Sequence, residues 1–171
     1  MRHTISVLVE NKFGVLARIS GLFSARGFNI SSLAVGETED PTVSRMTIVV
    51  EGDEKTLEQI KKQLNKLIDV IKVVDFKASE FIDRDLMLIK VAVNTKTRKE
   101  VLETIESVGA RIANAGSKSI SVELAADESK IKALMELLRP FGILELVRTG
   151  RVAMSIDDKG LKAEGKPEVN E

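Results

Sequence analysis

The stretch Glu10-Asn11-Lys12-Phe13-Gly14-Val15-Leu16-Ala17-Arg18 joins an alternating segment to one with helical spacing. Several amide N–H groups at a helix start have no helical partner. They sit at the positive end of the helix dipole, where a carboxylate docks well. Gly14 has no side chain, so a ligand can approach the backbone closely. The Asn11 carboxamide can accept from an ammonium group and donate to a carboxylate. Val15 and Leu16 offer apolar wall. Together these residues could hold an aliphatic amino-acid zwitterion. The spacing also admits a local reading, with Asn11 as helix N-cap and Gly14 as a turn residue. A second stretch, Arg26-Gly27-Phe28-Asn29-Ile30-Ser31-Ser32-Leu33, contains Gly27 and Asn29, which suit a helix-ending turn. A ligand role for Asn29 requires it to face the helix start of a neighbouring chain.

Other chemistries find little support. The chain lacks cysteine, which removes disulfides, thiolate metal sites and thiol nucleophiles. Its single histidine is His3, poorly placed for a zinc site or a catalytic triad. Glu37, Glu39 and Asp40 cluster near a turn, and Asp53 and Glu54 begin a helix. Carboxylates so placed are usually solvated or favour a helix N-terminus. No catalytic residue and no metal ligand is therefore assigned. Neither G-x-x-x-x-G-K-[ST] nor G-x-G-x-x-G occurs. Lys plus Arg total 26 and Asp plus Glu total 26, without the basic excess that phosphate binding needs. The strand around Ser44–Val50 lacks the aromatic platform of an RNA-recognition sheet, and the chain has neither Tyr nor Trp. No apolar run reaches the roughly 18 residues of a membrane span, and no signal-peptide core is evident. The expectation is a cytoplasmic protein that binds neither nucleic acid nor membrane.

The elements that would position the first two stretches follow from periodicity. Residues 2–10 alternate, with Ile5, Val7 and Val9 on one face of a half-buried strand. Residues 14–26 have helical spacing and close at Gly27. Strands are expected over 29–37 and 43–51, a helix over 54–67 and a strand over 69–77. The order β-α-β-β-α-β then repeats: a strand from Leu86, a helix over 97–108, strands over 111–115 and 119–124, a helix over 127–139, and a last strand over 143–149. The predicted fold class is α+β, two tandem ferredoxin-like βαββαβ domains whose antiparallel sheets carry helices on one face. The predicted domains are 1–78 and 79–156, meeting near Lys77–Glu80, with a charged tail over 157–171 expected to be disordered. The face of each sheet opposite its helices requires cover from another sheet or chain.

With these segments in place, residues 4–78 resemble an ACT domain, a small-molecule sensor. Asn11-x-x-Gly14-Val15-Leu16-x-Arg18, Gly27-Phe28-Asn29-Ile30-x-Ser32-Leu33 and Asp40-Pro41-x-x-Ser44-Arg45-Met46-Thr47 resemble the acetolactate synthase small-subunit family. Arg84-Asp85-Leu86-Met87-Leu88-Ile89-Lys90-Val91 and Glu145-Leu146-Val147-Arg148-Thr149-Gly150-Arg151 resemble that family's second domain. The resemblance covers about 1–155. It implies a non-catalytic regulatory subunit in branched-chain amino acid biosynthesis. Its partner would be a catalytic subunit, and the cofactors thiamine diphosphate, magnesium and FAD would bind there and not here. It also implies a homodimer through ACT domains and feedback inhibition by valine, sometimes isoleucine or leucine. Asn11, Gly14, Val15 and Leu16 of one chain would meet Asn29 and Ile30 of the other. The chain departs from the family pattern at Ile156, where a basic residue is usual. The second repeat has Thr95-Lys96-Thr97-Arg98-Lys99 in place of the Asn-x-x-Gly loop, so no amino-acid site is expected there. The alternative is a free-standing ACT sensor acting on another target; the second half of the chain separates the two readings.

Overall fold

A computed structural model of the chain describes residues 1–76, 81–157 and 161. The expected domain boundary at 77–80 lies outside the described residues, as does nearly all of the expected tail. The chain divides into two compact units, Met1–Ile82 with Arg151–Glu171, and Asp83–Gly150.

The first unit contains β1 (Arg2–Glu10), α1 (Val15–Ala25), β2 (Ile30–Glu37), β3 (Val43–Glu51), α2 (Glu54–Leu64) and β4 (Val70–Phe76). Its sheet has the order β2-β3-β1-β4, with antiparallel neighbours throughout. Ile5, Val7 and Val9 face the helices with Met46, Ile48 and Val50. Val15, Ile19, Leu22 and Phe23 of α1 and Leu57, Ile60 and Leu64 of α2 complete this core. The helix period of 3.6 brings those positions onto one stripe of each helix. Gly27, at φ +68°, ends α1 in the left-handed conformation. The Phe28 N–H then donates to the Phe23 carbonyl at 3.0 Å, which turns the chain back into β2. The Asp53 carboxylate accepts from the Thr56 N–H at 2.8 Å and so starts α2. That helix stops at Leu64, three residues before the expected end, as Leu67 donates to the Leu64 carbonyl in a tighter turn.

β1 is buried on both faces, not on one as its alternation suggests. Thr4, Ser6 and Leu8, which point away from the helices, are as inaccessible as Ile5 and Val7. Part of the reason is a strand that the sequence reading did not contain, β9 (Val152–Ser155). The segment from Arg151 belongs to the first unit and lies on the outer face of its sheet. The Arg151 N–H donates to Ser32 Oγ at 2.9 Å and its guanidinium to Thr4 Oγ1 at 3.1 Å. The Arg45 side chain donates to Ser6 Oγ and to the Ala153 carbonyl, both at 2.9 Å.

The second unit holds most of β5 (Phe81–Ala92), then α3 (Arg98–Ser107), β6 (Arg111–Ala115), β7 (Ser119–Ala126), α4 (Glu128–Leu138), a 3₁₀ turn over Arg139–Phe141 and β8 (Ile143–Arg148). The strand order β6-β7-β5-β8 repeats the arrangement of the first sheet. Met87, Ile89, Val91, Ile120 and Val122 pack with Val101 and Ile105 of α3 and Ile131, Leu134 and Leu138 of α4. The Arg148 guanidinium donates through Nε and Nη2 to the buried Asp85 carboxylate and ties β8 to β5. The two antiparallel sheets with helices on one face agree with the α+β, tandem ferredoxin-like expectation.

Candidate functional site

The loop from Glu10 to Gly14 is held from three sides. The Asn11 N–H donates to the Thr42 carbonyl at 2.7 Å, and the Glu10 N–H to the Asp69 carbonyl at 2.9 Å. Arg18 reaches back from α1 and donates through Nε to the largely buried Asp69 carboxylate at 2.8 Å. Gly14 is the helix N-cap, at φ +81°. A side chain there would lie in the left-handed region, and its Cβ would meet Arg18 Nη1 at 3.3 Å.

Asn11 is not the helix cap. Its Nδ2 group donates to Glu37 Oε1 at 3.0 Å and to the Pro41 carbonyl at 2.9 Å. Two acceptors around one amide nitrogen fix the orientation of the carboxamide, and Oδ1 is left as its acceptor. Asn11 is exposed, so that oxygen is open to a ligand donor. The Val15 side chain belongs to the core, 3% exposed, so its contribution at the loop is the backbone. Leu16 stays 44% exposed and can form a wall. Phe13, which the sequence reading did not assign, is fully exposed beside Gly14. Its type and its place next to the glycine were visible in the sequence, but its direction was not.

The start of α1 differs from those of the other three α-helices among the described residues. Asp53 and Asp127 cap α2 and α4 through the Thr56 and Lys130 N–H groups. Asn94 Oδ1 accepts from the Lys96 and Thr97 N–H groups ahead of α3. Those three helices also carry a glutamate in the first turn. α1 has neither a side-chain cap nor an acidic residue there. The Val15 N–H donates to the Lys12 carbonyl at 3.4 Å, so the next N–H groups of the first turn, from Leu16 and Ala17, and the positive end of the dipole remain available to an anion.

Asn29 is exposed and Ile30 half-buried, at the beginning of the edge strand β2. Asn11 lies at the other end, beside Glu37, where β2 finishes. Seven strand steps of about 3.3 Å separate Ile30 from Glu37, roughly 23 Å. Within one chain the structure thus brings Asn11, Gly14 and Leu16 together and leaves Asn29 and Ile30 apart from them. The acidic turn is internally satisfied at Asp40. The Thr42 hydroxyl and N–H both donate to Asp40 and hold its carboxyl below its usual pKa. Among the described residues no three His, Cys, Asp or Glu side chains gather as a metal site, and no helix is long and apolar enough to cross a membrane.

The βαββαβ unit with its Asn-x-x-Gly loop is the arrangement of an ACT domain. Residues 5–72 match the family model described as an AHAS small subunit-like ACT domain, and residues 84–157 match that for the small subunit of acetolactate synthase. The acetolactate synthase small subunit of Mycobacterium leprae is 52% identical over 159 residues, which cover 93% of this chain and 94% of the relative. A probable acetolactate synthase small subunit of Archaeoglobus fulgidus is 53% identical over 154 residues, covering 90% and 96%. The crystal structure of the Thermotoga maritima acetolactate synthase small subunit superposes with a TM-score of 0.85 at 39% identity, over 91% of this chain and 97% of that one. The chain belongs to the acetolactate synthase small-subunit family.

Proposed function

We propose that this chain is the non-catalytic regulatory subunit of an acetolactate synthase, and that it carries valine feedback inhibition to the catalytic subunit. Valine, or a related branched-chain amino acid, binds where two ACT domains pair. The observation that carries this reading is the bare start of α1. Among the described residues it is the one α-helix start with neither a side-chain cap nor an acidic residue in its first turn, and it lies next to the open Asn11 oxygen. The effector carboxylate takes the Leu16 and Ala17 N–H groups, its ammonium takes Asn11 Oδ1, and the Leu16 side chain lines its aliphatic part. Val15 contributes its backbone.

The edge strand supports the two-chain site. Antiparallel pairing of β2 with β2 of a second copy, about a two-fold near Leu33 and Ala34, sets Ile30 of one chain opposite Glu37 of the other. Asn29 and Ile30 then reach the Asn11 loop of the partner, which they cannot do within one chain. Effector that favours one packing of this joint shifts the equilibrium, with a coupling of about 1–3 kcal/mol typical of such systems. Glu100 in the first turn of α3 and the Asn94 carboxamide oxygen, which takes the Lys96 and Thr97 N–H groups, argue against an equivalent site in the second unit. Activation of the catalytic subunit belongs to the same proposal. So does the assignment of thiamine diphosphate, magnesium and FAD to that subunit alone.

The test is calorimetric titration of the chain with valine, leucine, isoleucine and an unrelated amino acid, paired with sedimentation. One valine-class ligand should bind saturably, with two equivalent sites per dimer. A monomer that binds valine, or a dimer that ignores all three branched-chain amino acids, rejects the site.

A further inference from the structure

The outer face of the first sheet contains a cleft of about 260 Å³ between β2, β3 and β9, wholly within the first unit. Ala34, Val152 and Ala153 give it apolar walls, and Arg45 and Thr47 give it polar groups. Arg45 is half-buried, yet its hydrogen-bond acceptors are the neutral Ser6 hydroxyl and Ala153 carbonyl. Arg18, Arg111, Arg139 and Arg148 each hold a carboxylate. Desolvation holds the Arg45 guanidinium below its usual pKa, and among the described residues its hydrogen bonds reach no carboxylate. Burying a cation without a counter-charge is unfavourable. A guanidinium has five N–H donors in a fork that matches a carboxylate, and the hydrogen bonds to Ser6 and Ala153 leave several of them over. Thr47 Oγ1 accepts from the Ala153 N–H at 3.4 Å and keeps its own proton to donate.

We propose that this cleft is a second ligand site, for a small aliphatic monocarboxylate anchored by Arg45 and Thr47. The short apolar tail lies against Ala34, Val152 and Ala153. Pockets for drug-sized ligands occupy about 300–1,000 Å³, so this cleft takes only a few carbons. Glu37 also lines it and disfavours a second negative charge. The site uses the opposite face of the sheet and different donors from the start of α1, with Glu37, which accepts from Asn11, lying between the two. Because Arg45 and Thr47 also hold Ala153, a bound carboxylate acts directly on the attachment of β9.

The experiment is an NMR titration of the full chain with isobutyrate, following the Thr47 and Ala153 amides. A Gly14→Asp background weakens any contribution from the α1 site, and isobutyrate lacks the ammonium group that Asn11 takes there. Saturable shifts are expected, with affinity at least tenfold weaker in Arg45→Gln. Should Arg45→Gln fail to fold, Ala34→Leu fills the cleft and leaves Arg45 in place; it should abolish saturation. Three results overturn the proposal: shifts that never saturate, equal shifts with inorganic phosphate or chloride, and unchanged affinity in Ala34→Leu.

Discussion

Gly14→Asp separates folding from effector binding. At φ +81° an L residue costs about 1–2 kcal/mol, with aspartate toward the lower end because it tolerates the left-handed region. Two effects offset this. An acidic residue at a helix start contributes about 0.3–1 kcal/mol, and the new carboxylate lies beside Arg18, whose Nη1 is 3.3 Å from the Cβ position. The net loss of stability is then at most about 1 kcal/mol, a fall in melting temperature of roughly 4–8 °C for a unit of this size. Binding suffers more. A carboxylate about 4 Å from the effector carboxylate costs about 1 kcal/mol in water-like surroundings and about 4 kcal/mol at a protein surface. That predicts valine affinity lower by roughly fivefold to a thousandfold, at a conversion of about 1.4 kcal/mol per tenfold. Gly14→Ala is the control, since it carries the backbone strain without the charge. The assay is urea unfolding alongside valine calorimetry for all three proteins. Unchanged valine affinity in Gly14→Asp refutes the site; equal losses in Gly14→Asp and Gly14→Ala refute the electrostatic account.

Three further outcomes follow from the hydrogen bonds and the core. Asp40, Asp53 and Asp127 all have lowered pKa values, caused first by side-chain hydrogen bonds from Thr42, Thr56 and Ser129. A depressed carboxyl stabilises the fold above its unfolded pKa of about 3.9, and that stability is lost as pH falls through the folded value. The urea midpoint should therefore hold from pH 7 to 5 and drop below about pH 4, and Asp53→Asn with Asp127→Asn should shrink that drop; an unaltered acid limb contradicts it. Arg148→Ala leaves Asp85 buried without its cation, so the second unit should lose about 3–5 kcal/mol by denaturant titration. Phe23, 1% exposed and edge-on to Phe28 at 6.3 Å, should cost about 3–5 kcal/mol when cut to alanine.

Periodicity exposed both βαββαβ units because each strand and helix packs on its own core, and burial of one face writes itself into the spacing. The positions of Ile19, Leu22 and Phe23, or of Ile131, Leu134 and Leu138, follow from that alone. β9 escaped because its partners on the first sheet are side chains, Arg45 and Thr47, which impose no alternation on Val152–Ser155. The double burial of β1 escaped for the same reason: Thr4 and Ser6 read as solvent-facing until Arg151 and Arg45 are seen to reach them. At the site, the Asn-x-x-Gly spacing marked the loop. It could not tell whether Asn11 turned to its own helix or to Glu37 and Pro41, a choice made by tertiary contacts. Nor could it show that the Val15 side chain turns inward while Phe13 turns out.

The return of Arg151 to the first unit makes that unit discontinuous in the chain. On the ribosome, residues 1–82 emerge well before the segment that completes them. At synthesis rates of about 5–20 residues per second, the intervening stretch delays completion by roughly 3–14 s. During that interval the hydroxyl-rich face of Thr4, Ser6 and Thr47 awaits Arg151 and Ala153. A polar waiting surface attracts fewer wrong partners than an apolar one. The serines and threonines on that face thus let a nascent sheet wait for its last strand without sticking to its neighbours.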